Sequence, residues 1–521
     1  MRSATGARSE AREMATPIPG NAATLTAWSA AAATGGRVAQ LRGEAAVARG
    51  ITSDSRAASR GCAFVALRGA RHDGHDHVEA AIRGGAELIV VEKGRGPAFA
   101  AASVDVVEVE DTLVAWGDLA AAHLRAWRRG RGDARVFAIS GSAGKTTTKE
   151  LCAALLQSAG PCHATSGNLN NRVGVPAVVF GLQPHHRFGV FEVGMSVRGE
   201  IAALAGILEP DVAILTNVGI AHAEGVGGSR GDVAREKGEL FAALSREGVA
   251  VACFDDPAAT GQLARTPARH ARTFGTGDDA DYRLIERGSV GASGARVRIR
   301  RRREVTEAQA WLPLLGEAAA VDLAAALAAA ESVVGPIADD VLAAALREPR
   351  FRRGAGAGRM QVRQLADGTL VLDDTYNANP QSVRAALRTL REVGEGRRAV
   401  VVFGEMRELG PSASAEHASL GEAIVEAGVH LAVSCGGMAD LTVGGASRGG
   451  VDVACAADAD EAARVAVARV QPGDIVLVKA SRSVGAERVV EALSRARGEV
   501  EAGPASTRPG PSSSPPPSGG R

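Results

Sequence analysis

The chain has 521 residues, too many for one ordinary core, so about two to four domains are expected. A formal net charge of +1 excludes a long-range field for nucleic acid or anionic lipid, so a phosphate-bearing ligand must be held by a local site. Six cysteines are scattered without metal-ligand spacing, and no basic-then-apolar leader opens the chain, which points to free thiols in a reducing cytoplasm.

In chain order, residues 1–20 read as disordered on composition. Short apolar runs then alternate with Ala-rich helical stretches, the signature of βαβ units and parallel sheets. Predicted strands are Val136–Ile139, Gly189–Val193, Val212–Leu215 and Val249–Phe254, followed by Leu370–Leu372, Ala399–Phe403, Leu431–Ser434 and Ile475–Val478. Between the two sets, Ala318–Val334 reads as a buried helix, because Asp322 and Glu331 interrupt its apolar run and exclude a membrane span. Two strand sets and a separate N-terminal segment predict an α/β protein of three domains, 21–130, 131–336 and 337–500. The Pro/Ser/Gly-rich tail 501–521 cannot build a core.

Polar or Gly residues follow most predicted strands, where doubly wound sheets place their ligands. After the first comes Ser140-Gly141-Ser142-Ala143-Gly144-Lys145-Thr146-Thr147, opening a predicted helix. Glycines let backbone N–H groups turn toward phosphate oxygens, and the helix start adds positive potential. Lys145 would reach the terminal phosphates, and the Thr146 or Thr147 hydroxyl would meet Mg²⁺. The first Gly of the strict pattern is missing, since Ile139 stands there.

Rare residues sharpen the reading. Only five lysines occur, Lys93, Lys145, Lys149, Lys237 and Lys479, and arginine cannot stand in where a deprotonatable amine is needed. Six of seven asparagines fall in three clusters: Asn168, Asn170 and Asn171; Asn217; Asn377 and Asn379. Glu192 and His222 each follow a strand; alone they read as hydrogen-bonded loop groups, together as ligands for a divalent ion. On its own, Lys237 reads as a solvated helix residue paired with neighbouring Glu.

The loop from Ser140 to Lys149 resembles the phosphate loop of the Mur ligase family, with Ala143 for the usual Asn. Gly167-Asn168-Leu169-Asn170-Asn171 to Pro176 resembles that family's segment beside the muramoyl substrate, and the likeness runs from about 50 to 490. It implies the three-domain architecture of that family: a UDP-substrate domain, a central ATP-binding parallel sheet with a P-loop, and a Rossmann-like C-terminal domain. It also implies an ATP-dependent amide ligase of peptidoglycan precursor synthesis, cytoplasmic and monomeric, with small-molecule substrates and two Mg²⁺ ions. The metal ligands implied are Thr146, Glu192, His222 and Lys237, the last as its carbamate. Ser53, Ser55 and Arg56 match the uridine diphosphate contacts. Arg359 matches the arginine that reaches the nucleotide phosphates. Asp373-Asp374-Thr375-Tyr376-Asn377-Ala378-Asn379-Pro380 resembles the segment of members that add D-alanyl-D-alanine to a UDP-muramoyl tripeptide. The resemblance thus assigns Asp374 to the nucleotide, and Tyr376, Asn377, Asn379, Lys479 and Ser481 to the substrates. A family member adding a different amine is the alternative. Two departures touch the adenine pocket: Cys253 replaces an Asn, and Gly316 to Asp322 lacks the family's paired asparagines. Ala319 offers no hydrogen bond, whereas an ionised Asp322 could accept one from the adenine amine.

Overall fold

The computed structural model describes residues 19–42, 46–69, 72–220, 223–302, 305–351, 354 and 356–500. Most of both predicted disordered ends, and His222, lie outside the described residues. Three large sheets organise the rest, in agreement with the α/β expectation.

The N-terminal sheet has strands β1 (Arg37–Gln40), β2 (Ile51–Thr52), β3 (Ala63–Val65), β4 (Leu88–Glu92) and β5 (Asp105–Val109), in the order β1-β5-β4-β3-β2. Helix α1 (Thr112–Gly130) then crosses to the central unit. Its first turn is fixed by Asp111, whose carboxylate accepts from the Leu113 and Val114 N–H groups. Trp116 and Trp127 are buried on the face that meets the next unit, and their indole N–H groups donate to the carbonyls of Val173 (2.9 Å) and His186 (3.1 Å). Each indole thus buries its large apolar body and still satisfies its one donor.

The central sheet contains β6 (Arg135–Ser140), β7 (Cys162–Ala164), β8 (Phe188–Glu192), β9 (Val212–Leu215), β10 (Val249–Cys253), β11 (His270–Gly275), β12 (Tyr282–Ser289), β13 (Ala295–Arg301) and β14 (Thr306–Leu312). Their order is β14-β13-β12-β11-β10-β9-β6-β8-β7. From β7 to β12 all neighbours are parallel, but β13 and β14 add on antiparallel. The expected parallel sheet is present and carries an antiparallel extension at one edge. The reason is visible in β13, where Ala295, Val297 and Ile299 are buried and the arginines between them are not: a two-residue period suits a strand covered on one face. β6, β8, β9 and β10 are instead nearly continuous apolar runs, because helices cover both faces.

Helices α2 (Lys145–Gln157), α3 (Arg230–Ala242) and α4 (Gly316–Val334) complete the unit. The run of alanines in α4 lets it lie close against α2 and the sheet, and it is buried as its composition predicts. Its Glu331 is no interruption but an anchor: the carboxylate accepts a two-pronged pair from Arg301 (2.6 and 3.1 Å to Oε1, 3.0 Å to Oε2) and a hydrogen bond from the Tyr282 hydroxyl (2.9 Å). This buried cluster ties the antiparallel strands to α4. No described helix is long and apolar enough to cross a membrane.

The C-terminal sheet comprises β15 (Gln361–Leu365), β16 (Leu370–Asp374), β17 (Ala399–Gly404), β18 (Leu431–Cys435), β19 (Asp452–Ala456), β20 (Ile475–Lys479) and β21 (Glu499–Val500), in the order β19-β18-β17-β20-β16-β15-β21. Five adjacent strands, from β19 at the edge to β16, are parallel, as a Rossmann-like sheet requires. Helix α5 (Pro380–Val393) starts with a capping box between Asn379 and Ser382, has Pro380 in its first turn, and lies against α4.

Candidate functional site

The site follows from strand order. β6 carries the phosphate loop at its carboxyl end, and its two neighbours deliver side chains from either side: β8 ends in Glu192, and β9 runs into Thr216 and Asn217. Two loop glycines are fixed by space. A Cβ on Gly141 (φ 154°) would sit 1.8 Å from the Thr216 hydroxyl oxygen, and one on Gly144 (φ 79°) would sit 2.4 Å from an Asp322 carboxyl oxygen. Neither position admits a side chain.

Around the loop the polar groups are already engaged. The Lys145 ammonium donates to the Gly141 carbonyl (2.9 Å), and the Lys237 amine to the same carbonyl (3.2 Å). The Thr146 hydroxyl donates to Glu192 Oε2 (2.8 Å), whose Oε1 accepts from Asn170 Nδ2 (2.9 Å). Ser142 and Ala143 direct their N–H groups to Asn217 Oδ1 (3.2 and 2.9 Å). The same Asn217 donates back to the Ala143 carbonyl (3.0 Å).

Burial sets the charges. Burial opposes the charge on Glu192, but Lys145, Arg359 and the Asn170 hydrogen bond outweigh it and hold the carboxyl below its usual range. Burial lowers Lys145, with Arg359 adding to the effect and Glu192 opposing it. Lys237, buried in α3, is lowered well below the ordinary lysine range by desolvation and by the charge of Lys145, against the pull of Glu236. It is therefore not the solvated helix residue its local sequence suggests. Burial also pushes the Asp322 carboxyl up to about 8. The condition on which Asp322 could only accept from adenine, an ionised carboxyl, is not favoured at neutral pH, and the side chain packs against Gly144 of the phosphate loop.

Facing this, the C-terminal unit presents a second cluster. Lys479 donates to Asp374 Oδ2 (2.6 Å) and to the Asn377 carbonyl (2.8 Å), and the Met360 N–H donates to Asp374 Oδ1 (3.1 Å). The Arg359 guanidinium lies 3.8 Å above the Tyr376 ring, with Arg482 at 5.8 Å. Ser481 accepts the Arg407 N–H (2.9 Å). Between the two units runs a cleft of about 790 Å³, within the range of small-molecule sites. Its walls include Lys145, Thr147, Asn168, Glu192, Arg359 and Tyr376.

Most residues singled out in the sequence thus converge. Asn171 serves locally, accepting the Val173 and Gly174 N–H groups at a helix start. Ser53, Ser55 and Arg56 belong to the N-terminal unit, do not line this cleft, and leave Arg56 turned to solvent beside Asp54 (2.6 Å). Sequence reasoning missed the bracing role of Asn217, although its place just after a strand flanking the loop was a usable signal. Among the described residues no three His, Cys, Asp or Glu side chains form a ready metal cluster. A hydroxyl and a carboxylate beside a phosphate loop nevertheless suit Mg²⁺, which takes one or two carboxylates and completes its shell with phosphate and water.

Known proteins resemble this chain over most of its length. Three family models match: "Mur ligase family, catalytic domain" over residues 47–124, "Mur ligase middle domain" over 139–330, and "Mur ligase, glutamate ligase domain" over 358–482. The UDP-N-acetylmuramoyl-tripeptide–D-alanyl-D-alanine ligase of Escherichia coli K12 is 34% identical over 457 residues, 87% of this chain and 95% of its own. The Mycobacterium tuberculosis H37Rv ligase of the same name is 35% identical, covering 90% and 97%. A crystal structure of MurF from Acinetobacter baumannii superposes with a TM-score of 0.80 at 29% identity, covering 91% of this chain and 100% of that one. MurF from Thermotoga maritima, in complex with ADP, gives 0.73 at 28%, covering 86% and 97%.

Proposed function

This chain belongs to the Mur ligase family of ATP-dependent ligases, and from that premise we propose that it joins D-alanyl-D-alanine to a UDP-N-acetylmuramoyl tripeptide in the cytoplasm, a step in making peptidoglycan precursors. The observation that carries the reading is the cleft in which the phosphate loop, with Lys145, Thr147, Glu192 and Lys237, faces Asp374, Tyr376, Lys479 and Arg359.

The reaction has two steps. The tripeptide's terminal carboxylate attacks the γ-phosphorus of ATP, giving an acyl phosphate and ADP. The dipeptide amine then attacks the acyl carbon, the acyl C–O bond breaks, phosphate leaves, and the amine's proton goes to solvent or base. The protein's part is to place three reactants and screen their charge. Ser53, Ser55 and Arg56 hold the uridine diphosphate end. Asn168, Asn170 and Asn171 line the path of the muramoyl group. Gly141 to Thr147 bind the phosphates, with Lys145 and Arg359 supplying positive charge; Asp322 and Asp374 flank the nucleotide. Tyr376, Asn377, Lys479 and Ser481 form the wall that receives the dipeptide.

Thr146 and Glu192, with His222 and a carbamate on Lys237, would hold Mg²⁺. When bound, Mg²⁺ neutralises the charge that develops on the transferring phosphoryl group. The depressed Lys237 amine supports the carbamate: only a neutral amine adds to CO₂, forming an N–C bond and losing a proton to become an anionic oxygen ligand. The test is phosphate release. It should require both the UDP-tripeptide and D-alanyl-D-alanine. Equal turnover with a UDP-dipeptide and diaminopimelate would overturn the assignment.

A further inference from the structure

Asn379 uses each of its polar groups. Its backbone N–H donates to the Ser382 hydroxyl (3.1 Å) and its Oδ1 accepts the Ser382 N–H (2.9 Å), which completes the cap of α5. Its remaining donor, Nδ2, crosses to the central unit and reaches the Ser142 carbonyl of the phosphate loop (3.1 Å). That carbonyl belongs to the peptide whose N–H, on Ala143, points to Asn217 Oδ1. One peptide unit of the loop is therefore gripped at both ends, and one grip comes from the other side of the cleft. Thirteen residues further along, near the last turn of α5, Glu392 forms a two-pronged ion pair with Arg287 of β12 (2.5 and 2.6 Å). At 1.5 Å per residue the two attachments lie about 20 Å apart, so α5 cannot pivot about either alone.

We propose that Asn379 is a positioning residue that locks the C-terminal unit onto the phosphate loop, with Arg287–Glu392 as the second pin, so that nucleotide binding and domain docking are linked. The proposal rests on the reading of this loop as the nucleotide site, but not on the identity of the amine. Nucleotide is enclosed only when Arg359 and Asp374 face the loop, so a smaller docked fraction weakens apparent affinity in proportion. By linkage, bound nucleotide favours docking by the same factor.

The experiment is calorimetric titration of the full chain with Mg²⁺ and a non-hydrolysable ATP analogue, without other substrates. Asn379→Ser and Asn379→Asp both keep a good helix cap but lose the donor to Ser142. Removing one neutral hydrogen bond should raise Kd about fivefold in Asn379→Ser. Asn379→Asp should raise it further, because a carboxylate then faces a carbonyl oxygen. Glu392→Gln, far from the nucleotide, should also raise Kd, and its effect should not add fully to that of Asn379→Ser. Thermal melting of the three variants should stay close to that of the unaltered chain. Wild-type affinity in both Asn379 variants would overturn the proposal and leave Asn379 a helix cap. Binding of the analogue with no activity toward D-alanyl-D-alanine would instead count against the amine assignment alone.

Discussion

Replacing Asp322 with asparagine should stabilise this protein, and by an amount that depends on pH. Asp322 is buried between α4 and the phosphate loop, and burial moves its carboxyl from 3.8 to about 8, with the Thr148 hydroxyl pulling weakly the other way. Between these two values the folded chain holds a proton that the unfolded chain has released. Stability therefore falls as pH rises through that window and is flat outside it. One pKa unit corresponds to about 1.4 kcal/mol, so the roughly three units between 3.8 and pH 7 amount to about 4 kcal/mol. Asparagine has nearly the same shape and no proton to lose. It must still satisfy its amide, at a cost of about 1 kcal/mol, so a net gain of about 3 kcal/mol is expected at pH 7. The gain should vanish at about pH 4.5, where the two contributions cancel. Urea denaturation of both proteins at pH 5 and pH 8, followed by circular dichroism, measures it as a midpoint difference that widens with pH. A difference of equal size at both pH values would refute the reasoning, because it would come from packing rather than from ionisation.

Glu331→Ala should cost about 3–5 kcal/mol, since it leaves the buried Arg301 guanidinium without its counter-charge; a denaturation midpoint unchanged from wild type would contradict this. Lys237→Ala should abolish phosphate release and be partly restored by a small added carboxylate, while Lys237→Arg should stay inactive; full turnover in Lys237→Arg would remove the carbamate from the mechanism. The stacked His163, His185 and His186 lie beside one another, and His186 is lowered from 6.5 to about 4, by burial first and then by its two histidine neighbours. The contribution of His186 to stability is full above pH 6.5 and lost as pH falls to about 4, so thermal melts should drop over that interval and His186→Gln should flatten the drop.

Eight parallel strands were legible because burial on both faces leaves a simple mark, an apolar run closed by Gly or a polar residue; β7, β11 and β19, which are only partly buried, lack that mark. Val212–Leu215 was placed to the residue, and the others to within one or two. Strands β12 to β14 are less legible: alternation in Ala295–Arg301 marks one solvated face, but the arginines between the buried residues break the apolar run. Scarcity marks five lysines as candidates for chemistry, and two of them, Lys145 and Lys237, meet at the Gly141 carbonyl of the loop. Glu331 shows the limit: in sequence it is a charge that spoils an apolar helix. Its partners, Arg301 and Tyr282, are 30 and 49 residues away and are supplied only by the tertiary fold.

The asparagines carry the same lesson further. In sequence they suggest groups that touch substrates, yet three act on the site itself: Asn170 orients Glu192, and Asn217 and Asn379 hold the two ends of the Ser142–Ala143 peptide. A neutral amide suits that work for a physical reason. It offers a donor and an acceptor on one planar group, so it can satisfy a carbonyl and an N–H without adding charge. A carboxylate at position 217 would pair strongly with the loop N–H groups and repel incoming phosphate, and a cationic side chain at position 379 would compete with Lys145 for it. Asparagine keeps the loop ordered while leaving its positive potential free for the nucleotide, so part of the ordering cost of binding is met in folding. Lysine and carboxylate bring the charge to this site, and asparagine braces the groups around them.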